Sequence, residues 1–408
     1  MKKQYLIILF AVITALFTAC QSGDVYKTLI LTGQGEHNWK YSSSALQQIF
    51  DEAELFKAEI LNTPAQGEDM STFKPDFSKY QLVVLDYNGD SWSDETKASF
   101  VDYVRNGGGL VVYHPSVKAF PDWPEYNEMI GLGGFNGRDE TSGPLVYYGM
   151  EGVVVDDTTE GPAGAVEERA DFEVRIQVND HPVTQGLPVR WMQANDVMLT
   201  NLRGPAKELQ ILATNSPRMM YWRRPGAQPP KYFPVLMAIN YGNGRVFNTV
   251  LGNVDDGSGV AMQSVGFIAT LLRGAEWAAS GSVTQEVPFD FPTAAGPVIR
   301  TGFKAVTLDE AFNRIGSYET GSSSTKYMTF IRRQITDAAG DEKTLLNLEK
   351  KMVNVLKDAN ATADAKKLIL RELSWMGTDY SIDAINSLSS NPELQEMVDF
   401  ALTRLQAN

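Results

Sequence analysis

Cysteine is almost absent from this chain, since the 408 residues contain only Cys20. Two lysines, an apolar run over residues 5–17 and two small residues precede it. This order predicts a signal peptide over residues 1–20, and the small residues before the cysteine resemble a bacterial lipobox, although Phe17 stands where Leu is usual. We expect lipidation at Cys20 and a bacterial cell-envelope location, as a periplasmic or outer-membrane lipoprotein. An ordinary signal peptide with a coincidental cysteine is the alternative.

A lipidated Cys20 leaves the mature chain without a thiol. Disulfides, cysteine-ligated zinc and a cysteine nucleophile are then excluded together. The apolar run over residues 5–17 is too short for a comfortable membrane-spanning helix. The predicted membrane contact is therefore the N-terminal lipid anchor alone.

Basic residues are also few. Lys and Arg number 36 against 50 Asp and Glu, giving a net charge of −14. Nucleic-acid binding needs a basic surface, so a nucleic-acid partner is not expected, and an anionic membrane surface is disfavoured in the same way.

Proline and glycine become scarce after residue 300, where Pro392 is the one remaining proline. That composition is typical of helices and predicts a boundary in the chain. We expect a signal peptide over 1–20, an α/β domain over 24–285, a Pro-rich linker over 286–302 and an α-helical domain over 303–408. The helical segment resembles HEAT-type repeats. Its apolar residues are expected to form a core, with a groove for a protein partner as the alternative.

The central part alternates strand and helix signals. Four short apolar runs are predicted strands: Tyr26–Thr32, Phe56–Leu61, Tyr80–Tyr87 and Gly109–His114. Continuous apolar strands separated by helices indicate a parallel sheet covered on both faces. Three later strands are more antiparallel in character, at Phe172–Val178, Leu209–Thr214 and the hairpin Phe233–Gly252, and a long helix is predicted over Ser258–Ala279.

Histidine is scarce as well, with three in the chain. His37 and His114 each fall just after a predicted strand, at the edge where parallel sheets bind ligands. Imidazole titrates near neutral pH, so the pair predicts a site for general acid–base chemistry, with Asp86 or Asp196 orienting a ring. The alternative is that each histidine is structural. His181 is interpreted as part of a tight turn.

Other chemistries find less support in the sequence. Gly33-Gln-Gly35 is only a fragment of a phosphate-binding loop, and no Gly-x-Ser-x-Gly motif occurs. A metal on the two histidines could be completed by Glu36, Asp86 or Asp196, but neither His-x-His nor His-Glu-x-x-His spacing is present. The residues specify no cofactor and no metal.

Five ordered motifs carry a resemblance to a known family. They are Thr32-Gly-x-x-x-His37-x-Trp39, Gly107-Gly-Gly-Leu-Val-Val-Tyr-His114, Ile130-Gly-Leu-Gly-Gly-Phe135, Asp180-His181-Pro182-Val-Thr-x-Gly186-Leu, and Tyr241-Gly-x-Gly-Arg-Val-Phe247 followed by Leu251-Gly252. The chain resembles the trehalose-utilisation, ThuA-like family over roughly residues 26–280. The resemblance implies a flavodoxin-like fold, similar to class I glutamine amidotransferases. Amidotransferase activity is not expected, because that reaction needs a cysteine nucleophile.

The resemblance also implies sugar metabolism, with trehalose and related or 3-keto disaccharides as substrates. The sequence departs from the family pattern where Arg138 and Asn253 each replace a histidine and where Asn195-Asp196 replaces an Asp-Glu pair. We regard Arg138, Asn195 and Asn253 as candidate sugar-binding residues. Trp39, which could stack on a sugar ring, and Asn88 are candidates as well.

Two functions follow from these residues. One is an enzyme that acts on a disaccharide or keto-glycoside through His37 and His114, with Asp196 as the third catalytic candidate. The other is a non-catalytic carbohydrate-binding lipoprotein of the cell envelope.

Overall fold

A computed structural model describes residues 25–215, 229–255, 257–303, 307–323 and 325–406. These residues form two compact units. The first contains the described residues up to Glu286 together with Pro292–Phe303, and the second contains Val287–Phe291 and the described residues after 303. The predicted linker over 286–302 is thus shared between the units. Its later part is held by the first unit, because the Val265 N–H donates to the Val298 carbonyl oxygen at 2.9 Å.

The strands of the first unit are short and mostly buried. In chain order they are β1 (Tyr26–Thr32), β2 (Phe56–Asn62), β3 (Leu82–Leu85), β4 (Gly109–Tyr113), β5 (Leu145–Tyr148), β6 (Val154–Asp157), β7 (Ala165–Val166), β8 (Ala170–Ile176), β9 (Arg190–Asp196), β10 (Leu199–Thr200), β11 (Leu209–Asn215), β12 (Pro234–Tyr241) and β13 (Gly244–Thr249).

Nine of these strands form one sheet in the order β2-β1-β3-β4-β13-β12-β11-β8-β9. The first five are mutually parallel and the remaining four pair antiparallel. The predicted parallel core is confirmed, as is the antiparallel character of the later strands up to β12. Strand β13 was predicted only as the antiparallel hairpin partner of β12. It does pair antiparallel with β12, but it also pairs parallel with β4 and so belongs to the parallel half of the sheet.

The register brings the carboxyl ends of the parallel strands to one level. Leu31 in β1 pairs with Leu85 in β3, Leu85 pairs with Val112 in β4, and Tyr113 pairs with Thr249 in β13. The loops after these four strands therefore leave the sheet along one edge. Ligands bind open α/β sheets at such an edge.

Helices cover the sheet in the first unit: α1 (Trp39–Glu52), α2 (Asp94–Arg105), α3 (Pro124–Ile130), α4 (Val260–Gln263) and α5 (Val265–Ser280). Ser93 caps α2, because its hydroxyl oxygen accepts from the Thr96 N–H. Helix α5 lies close to β13, where a Cβ on Gly274 would come within 2.2 Å of the Phe247 ring. Glycine is thus required for this helix–sheet contact.

The single helix predicted over Ser258–Ala279 is wrong. Ser264 has an extended backbone, with φ −61° and ψ 126°, and separates α4 from α5. Its hydroxyl donates to Gln193 Oε1 at 2.9 Å, and its backbone forms a bridge with Ile299. These contacts outweigh the apolar pattern that predicted an unbroken helix.

The second unit is helical, as predicted. Its helices are α6 (Leu308–Ile315), α7 (Lys326–Asp337), α8 (Glu342–Lys357), α9 (Ala363–Met376), α10 (Asp379–Asn386) and α11 (Gln395–Leu405). They share an apolar core that includes Met352, Ile369 and Val398. Throughout the described ranges of both units, no helix combines the length and the apolarity that crossing a membrane requires.

Candidate functional site

His37 and Asp86 form a hydrogen-bonded pair at the sheet edge. His37 lies in the loop after β1, Asp86 follows β3, and His37 Nε2 is 2.6 Å from Asp86 Oδ1. The Ser42 hydroxyl, from the first turn of α1, donates to Asp86 Oδ2 at 2.7 Å. Burial raises the pKa of Asp86, while its bonds to His37 and Ser42 oppose that rise. Asp86, and not Asp196, is therefore the carboxylate that orients an imidazole.

The second nitrogen of His37 is free. Its side chain is only 7% exposed, and Nδ1 is buried without a hydrogen-bond partner. With Asp86 ionised, Nε2 carries the proton and Nδ1 keeps its lone pair. Gly35 makes this placement possible: a Cβ there would lie 2.7 Å from Nδ1, and its φ is +139°.

His114 differs from His37, because both of its ring nitrogens are bonded. Nδ1 lies 2.5 Å from the Val250 carbonyl oxygen, which only accepts, so Nδ1 carries the hydrogen. Nε2 then accepts from Asn253 Nδ2 at 3.0 Å. Burial lowers the pKa of His114 to about 4, and the positive charge of Lys118 adds to the effect. This imidazole is neutral at pH 7.

Asn253 has all of its amide positions filled. Its Nδ2 also donates to Asp255 Oδ2 at 2.8 Å, and its Oδ1 accepts from the Asp255 N–H at 3.0 Å and from Arg169. Asn253 and the Val250 carbonyl oxygen together fix the His114 tautomer. Arg169 also donates to the Asn195 carbonyl oxygen at 2.8 Å, which connects the end of β9 to this network.

Asp196 holds the loop after β13. It is fully buried and accepts from the backbone N–H groups of Gly252 at 2.7 Å and Asn253 at 2.9 Å, and from Gln193 Nε2 at 2.9 Å. Burial raises its pKa to about 6, against the opposing effect of these bonds. The described hydrogen bonds of Asp196 reach no imidazole, so it acts on His114 only through Asn253.

Ser116 ties the Asp86 and His114 loops together. Its hydroxyl donates to the Leu85 carbonyl oxygen at 2.8 Å and accepts from the Tyr87 N–H at 3.0 Å. These two residues flank Asp86, and Ser116 lies two residues after His114. The buried serine therefore fixes the spacing of the two loops.

A cavity of about 670 Å³ lies beside the His37 loop. Its wall includes Glu36, Lys118, Phe135, Asn136, Arg138 and Glu140. The Lys118 ammonium sits 4.8 Å from the centre of the Phe135 ring. Asn136 Nδ2 donates to Asn88 Oδ1 at 3.1 Å, which joins this wall to the loop that carries Asp86.

The wall contains unusual backbone. Phe135, Asn136 and Gly137 follow one another with φ values of 67°, 51° and 84°. Left-handed backbone at a residue such as Phe is rare and costs about 1–3 kcal/mol. Such strain clusters at binding and active sites, which favours this cavity as the functional one.

The remaining candidates occupy different roles. Arg138 is buried and its guanidinium donates to Asn127 Oδ1 at 2.7 Å and to the Ala119 carbonyl oxygen at 2.6 Å, so it braces the cavity wall. Trp39 is the first residue of α1, and the Lys40 ammonium lies 5.5 Å from the centre of the Trp39 ring. Asn195 has a left-handed φ of 39°.

The third histidine, His181, belongs to a turn. Its Nδ1 accepts from the Val183 N–H at 3.2 Å, and its ring meets Trp277 edge to face at 4.8 Å. Burial lowers the pKa of His181 to about 4. The ring is therefore neutral and structural.

Sequence reasoning missed Ser42, Ser116 and Lys118. Ser42 could have been found, since it follows the His37 motif and lies in the first turn of an amphipathic helix, whereas Ser116 acts only through the register of β3 and β4. Within the described ranges, no three histidine, cysteine, aspartate or glutamate side chains converge as a metal site.

The fold and the site together define an α/β protein of flavodoxin-like arrangement with a histidine–aspartate pair at the ends of its parallel strands. The sequence model of the ThuA family, described as trehalose utilisation, matches residues 27–278. The chain therefore belongs to the ThuA family, and this membership supports a role in sugar metabolism.

One solved structure supports this assignment. A ThuA-like protein from Parabacteroides merdae is 43% identical, with coverage of 69% of this chain and 99% of that one and a TM-score of 0.64. A ThuA-like protein from Bacteroides uniformis is 16% identical, with coverage of 64% and 94% and a TM-score of 0.44. None of the curated proteins matches the chain.

Proposed function

We propose that this protein acts on a disaccharide or keto-glycoside by acid–base chemistry at His37. The observation that carries the proposal is the Nδ1 of His37, which is buried without a hydrogen-bond partner while Nε2 is held by Asp86; the preceding residue, Glu36, lines the cavity. With the proton on Nε2, the lone pair of Nδ1 can accept a proton from a sugar hydroxyl or from a carbon next to a carbonyl. The small carbohydrate is the expected partner of the site.

Asp86 and Ser42 support this step. When Nδ1 accepts a proton, the ring becomes an imidazolium, and the carboxylate 2.6 Å from Nε2 stabilises its charge. The Ser42 hydroxyl keeps the second carboxylate oxygen in place. His114 serves as a positioning residue in this proposal, because both of its nitrogens are already bonded.

Incubating the mature protein with a panel of disaccharides and their 3-keto forms, followed by product analysis, tests the proposal. His37→Ala is expected to lower turnover on the right substrate by roughly 100- to 10,000-fold, the usual effect of losing a general acid or base. His181→Ala is the matched control, since that ring lies in a turn. Sugar binding without turnover of any sugar or keto-sugar would instead establish the carbohydrate-binding alternative.

We also propose that the protein is a lipid-anchored component of the bacterial cell envelope. The motivating pattern ends at Cys20, which lies outside the described residues. Cys20→Ser should shift the protein from the membrane fraction to the soluble fraction, because a single anchor is removed. An unchanged membrane fraction for the serine variant would contradict this proposal.

A further inference from the structure

The helical unit exposes large aromatic side chains. In the described part of the chain, the aromatic residues among the strongly exposed large hydrophobics are Trp375 at 63%, Tyr380 at 48% and Phe400 at 41%, all in the helical unit. Single exposed apolar residues are ordinary, but Trp375 and Phe400 belong to one patch. Their shared neighbour is Arg404.

The patch is built on two adjacent helices. Arg404 lies over the Trp375 ring at 3.4 Å and within 5.7 Å of the Phe400 ring. Arg371 and Trp375 are four residues apart on α9, and Phe400 and Arg404 are four residues apart on α11, so each pair lies on one helix face. We call these four residues the arginine–aromatic patch.

Among the described residues, neither arginine of the patch has an acidic partner. Arg404 Nε is buried without a hydrogen-bond partner. The ion pairs of the described ranges include neither Arg371 nor Arg404, although neighbouring cations are paired, as Lys367 is with Asp364 at 3.6 Å. Stacking on Trp375 orients the Arg404 guanidinium but leaves its charge uncompensated.

We propose that the arginine–aromatic patch binds an acidic segment of a protein partner, whose carboxylates pair with Arg371 and Arg404 while apolar side chains cover Trp375 and Phe400. Trp and Arg are the residues that dominate binding energy at protein interfaces. Bidentate pairing with a carboxylate suits a guanidinium that is held flat. This inference is independent of the proposed sugar chemistry.

Charge favours a protein segment over other polyanions. Nucleic acids and anionic bilayers attract broad basic surfaces, and this chain has a net charge of −14. Two arginines flanked by two aromatic rings match instead a few carboxylates among apolar side chains. Binding to an anionic bilayer is therefore an alternative outcome of the test.

The test uses the full chain and two synthetic amphipathic helical peptides with the same apolar face, one with glutamate and one with lysine on the polar positions. We expect the glutamate peptide to bind in titration calorimetry with an affinity that falls with salt, and the lysine peptide not to bind. Trp375→Ala and Arg404→Met should each weaken binding roughly tenfold. Trp375 is exposed and Arg404 is half-buried, so circular dichroism checks that the helices are retained.

Arg105→Met is the matched control, because Arg105 also stacks on an aromatic ring, that of Tyr241 at 5.6 Å, in the α/β unit. This variant should bind the glutamate peptide like the wild type. Equal binding of both peptides, or equal binding by the patch variants and the control, would overturn the proposal. So would loss of binding to anionic phosphatidylglycerol vesicles in the patch variants without any binding of the glutamate peptide, which would assign the patch to a membrane.

Discussion

Replacing Asp196 by asparagine should change how stability depends on pH. Burial raises the pKa of Asp196 from 3.8 to about 6 in the folded protein. Between about pH 4 and 6 the unfolded chain has lost this proton while the folded protein retains it, so raising the pH through this window favours unfolding. Two pKa units at about 1.4 kcal/mol each make the loss about 3 kcal/mol, and the loss is complete above pH 6.

His114 acts in the opposite direction over nearly the same window. Its pKa is lowered from 6.5 to about 4, so between these pH values the imidazole is protonated in the unfolded chain and neutral in the folded protein. Stability from this group therefore rises as the pH increases from about 4 to 6.5. In the wild type the two contributions largely offset each other. Asp196→Asn removes one of them and should expose the other.

Urea unfolding at pH values from 4 to 7 measures this difference. Tryptophan fluorescence is suitable, because six of the seven tryptophans precede residue 286 and report on the α/β unit. The difference in unfolding free energy between the wild type and Asp196→Asn should change by about 3 kcal/mol from pH 4 to pH 6.5, with the variant gaining stability relative to the wild type. Parallel stability curves for the two proteins would refute the reasoning.

Three further changes test the site and the fold. Gly35→Ala should displace the His37 ring, because the added Cβ would lie 2.7 Å from Nδ1, and we expect a strong loss of turnover that a crystal structure can explain; an unmoved ring would contradict this. Asn253→Ala removes the donor to Nε2 and should raise the pKa of His114 from about 4 toward 6.5, as followed by NMR titration, and an unchanged pKa would count against the assigned tautomer. Ser93→Ala removes the cap of α2 and should cost about 1 kcal/mol of unfolding free energy in urea, whereas an unchanged midpoint would show that the cap is dispensable.

The parallel strands could be predicted because their signal is local. Continuous apolar runs flanked by glycine and polar residues predicted β1 with its observed bounds and β4 to within one residue. Strand β9 was missed, since Arg190-Trp-Met-Gln-Ala-Asn-Asp196 mixes polar and apolar residues. Its buried Gln193 is satisfied by distant partners, among them the Ala261 carbonyl oxygen at 3.1 Å, and no local pattern reveals them.

The site, like the fold, could be predicted only where the signal is local in sequence. The position of His37 after a strand predicted its place at the sheet edge, and Asp86 was one of two carboxylates considered as its partner. The different state of His114 could not be predicted, because it depends on Val250 and Asn253, more than 130 residues away in sequence. Asp196 was predicted to be a catalytic residue, but its described hydrogen bonds only hold the loop after β13 and neighbouring residues. Only the three-dimensional contacts distinguish it from Asp86, which bonds an imidazole.

The common level of the strand ends has a consequence for how this family diverges. The strands β1, β3, β4 and β13 are held together by backbone hydrogen bonds, so the side chains of the loops that follow them take no part in strand pairing. A mutation in one loop, for example at Asn253, which bonds His114, can alter the chemistry of the edge without a change in strand pairing. Relatives with the same sheet can therefore share the architecture and still differ in the ligand that they recognise. Sequence similarity is thus a better guide to the fold of a relative than to its substrate.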